Sequence, residues 1–286
     1  MKKLLLQLDS SRLPSVFDRV VAHDASADEV LSYGGIVPTD VRDLIYGLIF
    51  TRGPKDLANS AVFIGGSDIN VGDAILTAAQ EAFFGAFRVS LMLDSNGSNT
   101  TAVAAYARVM HTIPDVRGKR AVVTAGTGPV GARAAGLLAK SGADVVITSR
   151  RGPDGERVSR AIVARFGGKV SCMTMTEPAQ AAGILEGANI LINCGPAGVQ
   201  MIPRAAWAGR SGMNVAIDLN AAPPLGIEGV DTNDNAVVRD GVTCFGALGV
   251  GSFKMKLHKA CIARLFERND LVLDAETIED VSRSLM

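Results

Sequence analysis

The chain is poor in the residues that metal and acid–base enzymes concentrate. It holds three histidines, His23, His111 and His258, and four cysteines, Cys172, Cys194, Cys244 and Cys261, with no Cys-x-x-Cys pair and no Cys/His grouping. Such scatter excludes a zinc site of the alcohol dehydrogenase type and a disulfide scaffold, so no metal is expected and the thiols read as reduced and cytoplasmic. One-sided charge is lacking too. Lys plus Arg and Asp plus Glu number 29 each, which leaves no basic footprint for nucleic acid or an anionic membrane. No apolar run reaches the roughly 18–20 residues of a membrane span. The Met1–Leu8 start is basic and then briefly apolar, but Asp9 interrupts it and no small-residue cleavage site follows. It reads as a first strand, not a signal peptide. Repeats and low-complexity tracts are also absent. What is present is a 286-residue chain, 48% hydrophobic, which suffices for one large or two ordinary domains.

Its most informative stretch is Lys119-Arg-Ala-Val-Val-Thr-Ala-Gly-Thr-Gly-Pro-Val-Gly131. A β-type apolar run enters Gly126-x-Gly128-x-x-Gly131, a helical run over 132–141 follows, and a second strand is expected over 144–149. That context turns a weak glycine pattern into a dinucleotide fingerprint. Gly126 allows a tight turn, Gly128 lets the backbone approach a pyrophosphate, and Gly131 lets the helix pack closely. Thr127, Pro129 and Val130 complete the loop, whose helix N-terminus offers N–H groups to phosphate. An NAD site usually ends its second strand in a carboxylate for the ribose 2′-hydroxyl. Here the strand ends in Ser149-Arg150-Arg151. A hydroxyl followed by two guanidiniums suits a 2′-phosphate, so NADP is favoured over NAD.

Around the fingerprint the chain alternates. Strands are expected over 3–8, 60–64 and 87–93, and helices over 39–50 capped by Thr39, 71–84 capped by Asn70, and from Ser98 or Asn99 to 111. Pro114–Gly118 breaks the pattern. After the fingerprint come helix 154–166, strand 169–175, helix 178–186, strands 189–193 and 214–219, a helix over 252–266 and a last one over 274–285. The alternation implies an α/β protein. Residues 114–251 form a Rossmann-type, doubly wound parallel sheet, and 1–113 with 252–286 form a second α/β domain for substrate, with a cleft between them. Ligand is expected beyond the carboxyl ends of the strands, which adds Gly195, Pro196, Ala197 and Asn220 to the cofactor-binding candidates.

Three further segments complete a family pattern: Phe87-Arg-Val-Ser-Leu-Met-Leu-Asp-Ser-Asn-Gly-Ser-Asn-Thr-Thr101, Ala216-Ile-Asp-Leu-Asn-Ala-Ala-Pro-Pro-Leu-Gly226 and Phe245-Gly-Ala-Leu-Gly-Val-Gly-Ser-Phe-Lys-Met-Lys-Leu-His258. With Pro14-Ser-Val-Phe-Asp18, they make almost the whole chain resemble the NADP-dependent methylene-tetrahydromethanopterin dehydrogenases of methylotrophic and related bacteria. The 94–101 segment is most similar to the branch that also oxidises methylene-tetrahydrofolate. The resemblance implies one-carbon metabolism and a hydride passed from the methylene bridge of a reduced pterin to NADP⁺, leaving a methenyl cation. It also implies a homotrimer or larger homo-oligomer.

That reaction needs alignment at roughly 3–3.5 Å and stabilisation of growing positive charge, but no general base. The resemblance implies Asp94 and Lys256 as catalytic groups. Asp94 would stabilise the cation or cap a helix; Lys256 would orient a pterin carbonyl or acidic tail, or be a surface lysine. Asn96, Asn99 and Thr101 would bond the pterin amide edge or cap the following helix. Phe17 would face the pterin or enter the core, and Asp18 would meet ring nitrogens or sit on a solvated helix face. His258 is read as structural. Folate dehydrogenase/cyclohydrolases carry a Tyr-x-x-x-Lys pair, whereas Tyr33, Tyr46 and Tyr106 are followed at that spacing by Val37, Phe50 and Met110. Cyclohydrolase activity is therefore not expected. The alternatives are a shikimate- or quinate-type dehydrogenase and a non-catalytic NADP-binding redox sensor.

Overall fold

The computed structural model describes all residues, Met1–Met286. In chain order the elements are β1 (Leu4–Asp9), α1 (Val16–Asp24), β2 (Glu29–Gly34), α2 (Pro38–Ile49), β3 (Ser60–Gly65), α3 (Ile69–Glu81), β4 (Ser90–Leu93) and α4 (Ser98–Thr112). Then come β5 (Arg120–Thr124), α5 (Pro129–Lys140), β6 (Asp144–Ser149), α6 (Gly152–Phe166), β7 (Lys169–Thr174), α7 (Ala181–Ile184), β8 (Ile190–Asn193) and β9 (Val215–Asp218). The hairpin β10 (Asn235–Arg239) and β11 (Val242–Phe245), α8 (Ala247–Arg264), β12 (Val272–Leu273) and α9 (Ala275–Arg283) complete the chain. No helix is long and apolar enough to cross a membrane.

Two compact units result, Met1–Thr100 with Met255–Leu285, and Thr101–Lys254 with Met286. The divisions fall inside α4 and α8, where the sequence reading set them at 113/114 and 251/252. The body of α4 makes its contacts in the second unit: Tyr106 shares a hydrogen bond with Ser141 at 2.7 Å.

The first unit is a five-stranded parallel sheet in the order β12-β4-β3-β1-β2. Every residue of the central strand β3 is buried, as a parallel strand covered on both faces requires. Ile45, Ile49, Leu57 and Ile75 close one face with no exposed surface. The second unit is a seven-stranded sheet in the order β10-β11-β9-β8-β5-β6-β7, with a core that includes the fully buried Trp207, whose Nε1 donates to the Glu228 carbonyl at 2.9 Å.

The second sheet is not parallel throughout, because β10 runs antiparallel to β11 at the edge. Their two-residue turn, Asp240-Gly241, has both φ values positive, the conformation that matches a hairpin's twist. The short strands β2, β10, β11 and β12 were not expected. Strand 87–93 is reduced to β4, and helix 178–186 to a 3₁₀ turn at Pro178–Gln180 followed by the single turn α7. The caps also differ. Val37 is the N-cap of α2, and Asp40 accepts its N–H at 3.1 Å, so Thr39 lies inside the helix. Asp68, not Asn70, caps α3. The helix expected from Ser252 starts at Ala247: Gly246 and Gly249 let its first turns touch the 231–235 backbone, where a Cβ would collide with the carbonyls of Asp231 and Asp234.

Candidate active site

In the second unit the chain leaves β5 towards β6 and β7 on one side, and β8, β9 and β11 lie on the other. The reversal opens a crevice at the carboxyl ends of β5 and β8. The last residues of three adjacent strands form a buried network beneath it. Thr124 Oγ1 donates to Asn193 Oδ1 at 2.6 Å, and Asn193 Nδ2 donates to Asp218 Oδ1 at 2.8 Å. Asp218 also accepts from the backbone N–H groups of Asn220 and Ile227 at 3.1 and 2.8 Å. Gly226 passes so close to Asn193 that no side chain fits there.

Above the network lies a cavity of about 710 Å³, lined by Ala125, Thr127, Gly128, Ser149, Arg150 and Cys194 among others. That volume falls within the roughly 300–1,000 Å³ of small-molecule sites. The three glycines divide the labour. A Cβ at Gly126 would lie 2.5 Å from Ile147 Cβ, and one at Gly131 would lie 2.8 Å from Gly126 Cα. Packing demands those two. Gly128 would meet only the Ala125 carbonyl, at 3.3 Å, and it borders the cavity; its bareness leaves room for a ligand. The left-handed residue of the turn is Ala125, φ 49°, and Gly126 serves the tight turn through its closeness to Ile147. Gly128 is the N-cap of α5 and Pro129 follows at its first position, with Val130 next, so the first turn directs N–H groups to the crevice. These features fit a dinucleotide's pyrophosphate.

At the far end Ser149 Oγ donates to the Arg151 carbonyl at 2.8 Å and accepts the Arg151 N–H at 3.2 Å. Arg151 pairs with Asp154, whereas Arg150 lines the cavity. Of the two arginines, only Arg150 borders the cavity. Pro196 lines the opposite end, while Gly195, Ala197 and Asn220 stand outside the lining. Gly195 packs against Met201, and Asn220 bonds the carbonyls of Pro196 and Pro224 at 3.3 Å each, holding the loops together. The sequence reading missed Met175–Pro178 and Val199–Met201, which also line the cavity. The turn dipeptide Glu177-Pro178 after a third parallel strand was the available signal. The half-buried Cys194 thiol is pushed up to about 12, first by burial and then by the charge of Asp218. It stays protonated and is no nucleophile.

In the first unit, the carboxyl ends of β1, β3 and β4 gather several candidates. Asp94 is buried and spends both oxygens on one residue: Oδ1 accepts the Thr100 N–H at 2.9 Å and Oδ2 the Thr100 hydroxyl at 2.6 Å. It thus caps the start of α4, a role the sequence reading also gave to Ser98 or Asn99. Asn99 is buried, with its amide on the Leu93 carbonyl. Asn96 is exposed in a left-handed conformation, φ 55°, and its N–H donates to the Gly66 carbonyl at 2.7 Å. Phe17 is 51% exposed on α1, beside the fully buried His258, whose ring also stacks on Phe63. Asp18 is half-buried near Gly65. Lys256 is exposed on α8 while Leu257 and Cys261 are buried, as its reading required. Thr101 is half-buried on α4, where the second unit begins.

Residues 16–96 match the family model described as methylene-tetrahydromethanopterin dehydrogenase, N-terminal. Over 285 residues, 99% of both chains, the protein is 44% identical to "Bifunctional protein MdtA" of Methylorubrum extorquens. The chain belongs to the methylene-tetrahydromethanopterin dehydrogenase family. A second member from that organism, named NAD(P)-dependent methylenetetrahydromethanopterin dehydrogenase, is 32% identical over 284 residues, 96% of this chain and 95% of its own. Shikimate 5-dehydrogenase from Listeria monocytogenes is similar in fold at 12% identity, with a TM-score of 0.55 over 100% of this chain and 96% of its own. The family membership thus goes with a Rossmann-like dehydrogenase fold.

Proposed function

We propose that this protein oxidises methylene-tetrahydromethanopterin, and methylene-tetrahydrofolate as a second substrate, with NADP⁺ as the acceptor. The observation that carries the reading is the cavity bordered by Gly128 and Arg150 at the strand reversal, in a chain that aligns with a family member over 99% of its length. Bound NADP⁺ would supply the hydride acceptor. The N-terminus of α5 takes the pyrophosphate, and Arg150 meets the 2′-phosphate, since β6 ends without the carboxylate that would repel it. In the first unit the exposed Phe17 ring and the Asn96 side chain are offered to the pterin, with Asp18 beside them and Lys256 for a carbonyl or acidic tail. Asp94 and Asn99, whose side chains are committed to their own loop, act as positioning residues for Asn96 and not as groups on the substrate.

The methenyl product is a resonance-stabilised cation and the reacting carbon releases no proton, so no side chain need act as general base. The lack of a Tyr-x-x-x-Lys pair supports a dehydrogenase without cyclohydrolase activity. A cytoplasmic homotrimer or larger homo-oligomer, with no nucleic-acid or membrane partner, completes the proposal. The test is steady-state appearance of the methenyl absorbance with both pterin carriers and both nicotinamide cofactors. NADP⁺ with the methanopterin carrier should be the best pair. No methenyl band with any pair, or enzyme-dependent loss of the band faster than in buffer, would overturn the corresponding part.

A further inference from the structure

Asp218 is the one carboxylate in the buried layer beneath the crevice, and nothing in the reaction as proposed uses it. It is 1% exposed. Its partners are an amide side chain and two backbone N–H groups, none of them a cation. Burying a carboxylate without a counter-charge is expensive, and neutral dipoles satisfy its hydrogen bonds without cancelling its net charge. The field therefore persists, and it is strongest where water is excluded. It reaches the cavity wall: Asp218 is linked through Asn193 to the Gly195 N–H, through Asn220 to the Pro196 carbonyl, and its charge contributes to holding the Cys194 proton. Cys194 and Pro196 line the end of the cavity away from Arg150, which is the end left for the nicotinamide once the 2′-phosphate is placed.

The two redox forms of the cofactor differ there by one unit of charge. The oxidised ring is a cation and the reduced ring is neutral. We infer that Asp218 sets redox-state specificity, its buried charge making the site prefer NADP⁺ over NADPH. This rests on the dinucleotide reading above. Tight binding of the reduced product would slow its release, so an anion under this subsite also favours turnover in the oxidative direction.

The experiment is calorimetric titration of the pterin-free protein with NADP⁺ and with NADPH, in the wild type and in Asp218→Asn. The wild type should bind NADP⁺ the more tightly. The variant should weaken NADP⁺ binding about tenfold and leave NADPH within about twofold, because only one ligand loses an attraction. A purely structural role would weaken both alike, and that result would overturn the inference. So would tighter binding of NADPH by the wild type, which decides the matter even if Asp218→Asn does not fold. Binding of neither cofactor would instead overturn the dinucleotide reading, and this inference with it.

Discussion

The two units end their parallel strands in opposite ways. In the second, the polar groups at the strand ends sink into one network, and the loops above it stay apart around a cavity bordered by Gly128 and Arg150. In the first, Asp94 and Asn99 turn back on their own loop, and the groups left at the surface are Phe17, Asn96 and Lys256. The proposed phosphate site is made chiefly of backbone, and its glycines are fixed by distances. The proposed pterin site is made of side chains on a capped loop, where spacing alone does not tell cap from contact.

The sharpest break of this contrast lies among the glycines. Gly126→Ala should destabilise the second unit by about 1–3 kcal/mol, because the new Cβ collides with Ile147. Gly128→Ala should leave the melting temperature nearly unchanged yet weaken NADP⁺ binding. Thermal unfolding and calorimetry on both variants check this; equal melting losses would show that Gly128 is also a packing glycine. Next in size, Arg150→Ala should lose one charge-assisted phosphate contact, about 1.5–3 kcal/mol, seen as a rise in KM for NADP⁺ with little change for NAD⁺. Arg151→Ala should do much less, since that side chain is held by Asp154.

Asp94 separates capping from catalysis. Asp94→Ala should cost the first unit about 1–3 kcal/mol by orphaning the Thr100 N–H and hydroxyl. Asp94→Asn can keep both bonds, its amide oxygen accepting from the N–H and its amide nitrogen donating to the hydroxyl. Stability and kcat should therefore both stay near wild type. A large fall in kcat at preserved stability would return Asp94 to the role of charge stabiliser.

Alkali offers a subtler probe. Burial, reinforced by Asp234, pushes the Cys244 thiol up to about 12. The folded chain keeps a proton that the unfolded chain releases near the ordinary thiol value of about 8.5. Stability is full below that value and falls as pH rises towards 12, by about 1–2 kcal/mol at pH 10 from this thiol. Denaturant midpoints at pH 7.5 and 10 should lie closer together in Cys244→Ala. The smallest effect expected is that of Lys256→Ala, a few-fold rise in pterin KM with kcat unchanged.

Most of the fold was legible. Apolar runs of strand length separated by helical periods located the long central strands, and the fingerprint located the crevice. The short edge strands escaped because β2 is largely exposed and β12 has two residues, too few for any period. The Asp240-Gly241 turn was a readable hairpin signal that the alternation of strands and helices overshadowed. Two of the loops that border the cavity, 125–128 and 194–196, were legible by position, since a strand's carboxyl end fixes them. That Gly195, Ala197 and Asn220 stand outside the cavity lining was not, because it depends on where Met201 and Pro224 fold back.

The first unit is made of the first 100 residues and a return of the chain at Met255–Leu285. During synthesis the second unit, continuous over Thr101–Lys254 apart from Met286, can close while residues 255–285 are still being made. The first-made sheet must wait. Until the last segment emerges, β4 lacks β12, and the N–H of Leu91, later taken by the Leu271 carbonyl at 2.8 Å, lies on an open apolar edge. Such edges recruit other strands, so the half of the molecule that leaves the ribosome first is the half most in need of a chaperone.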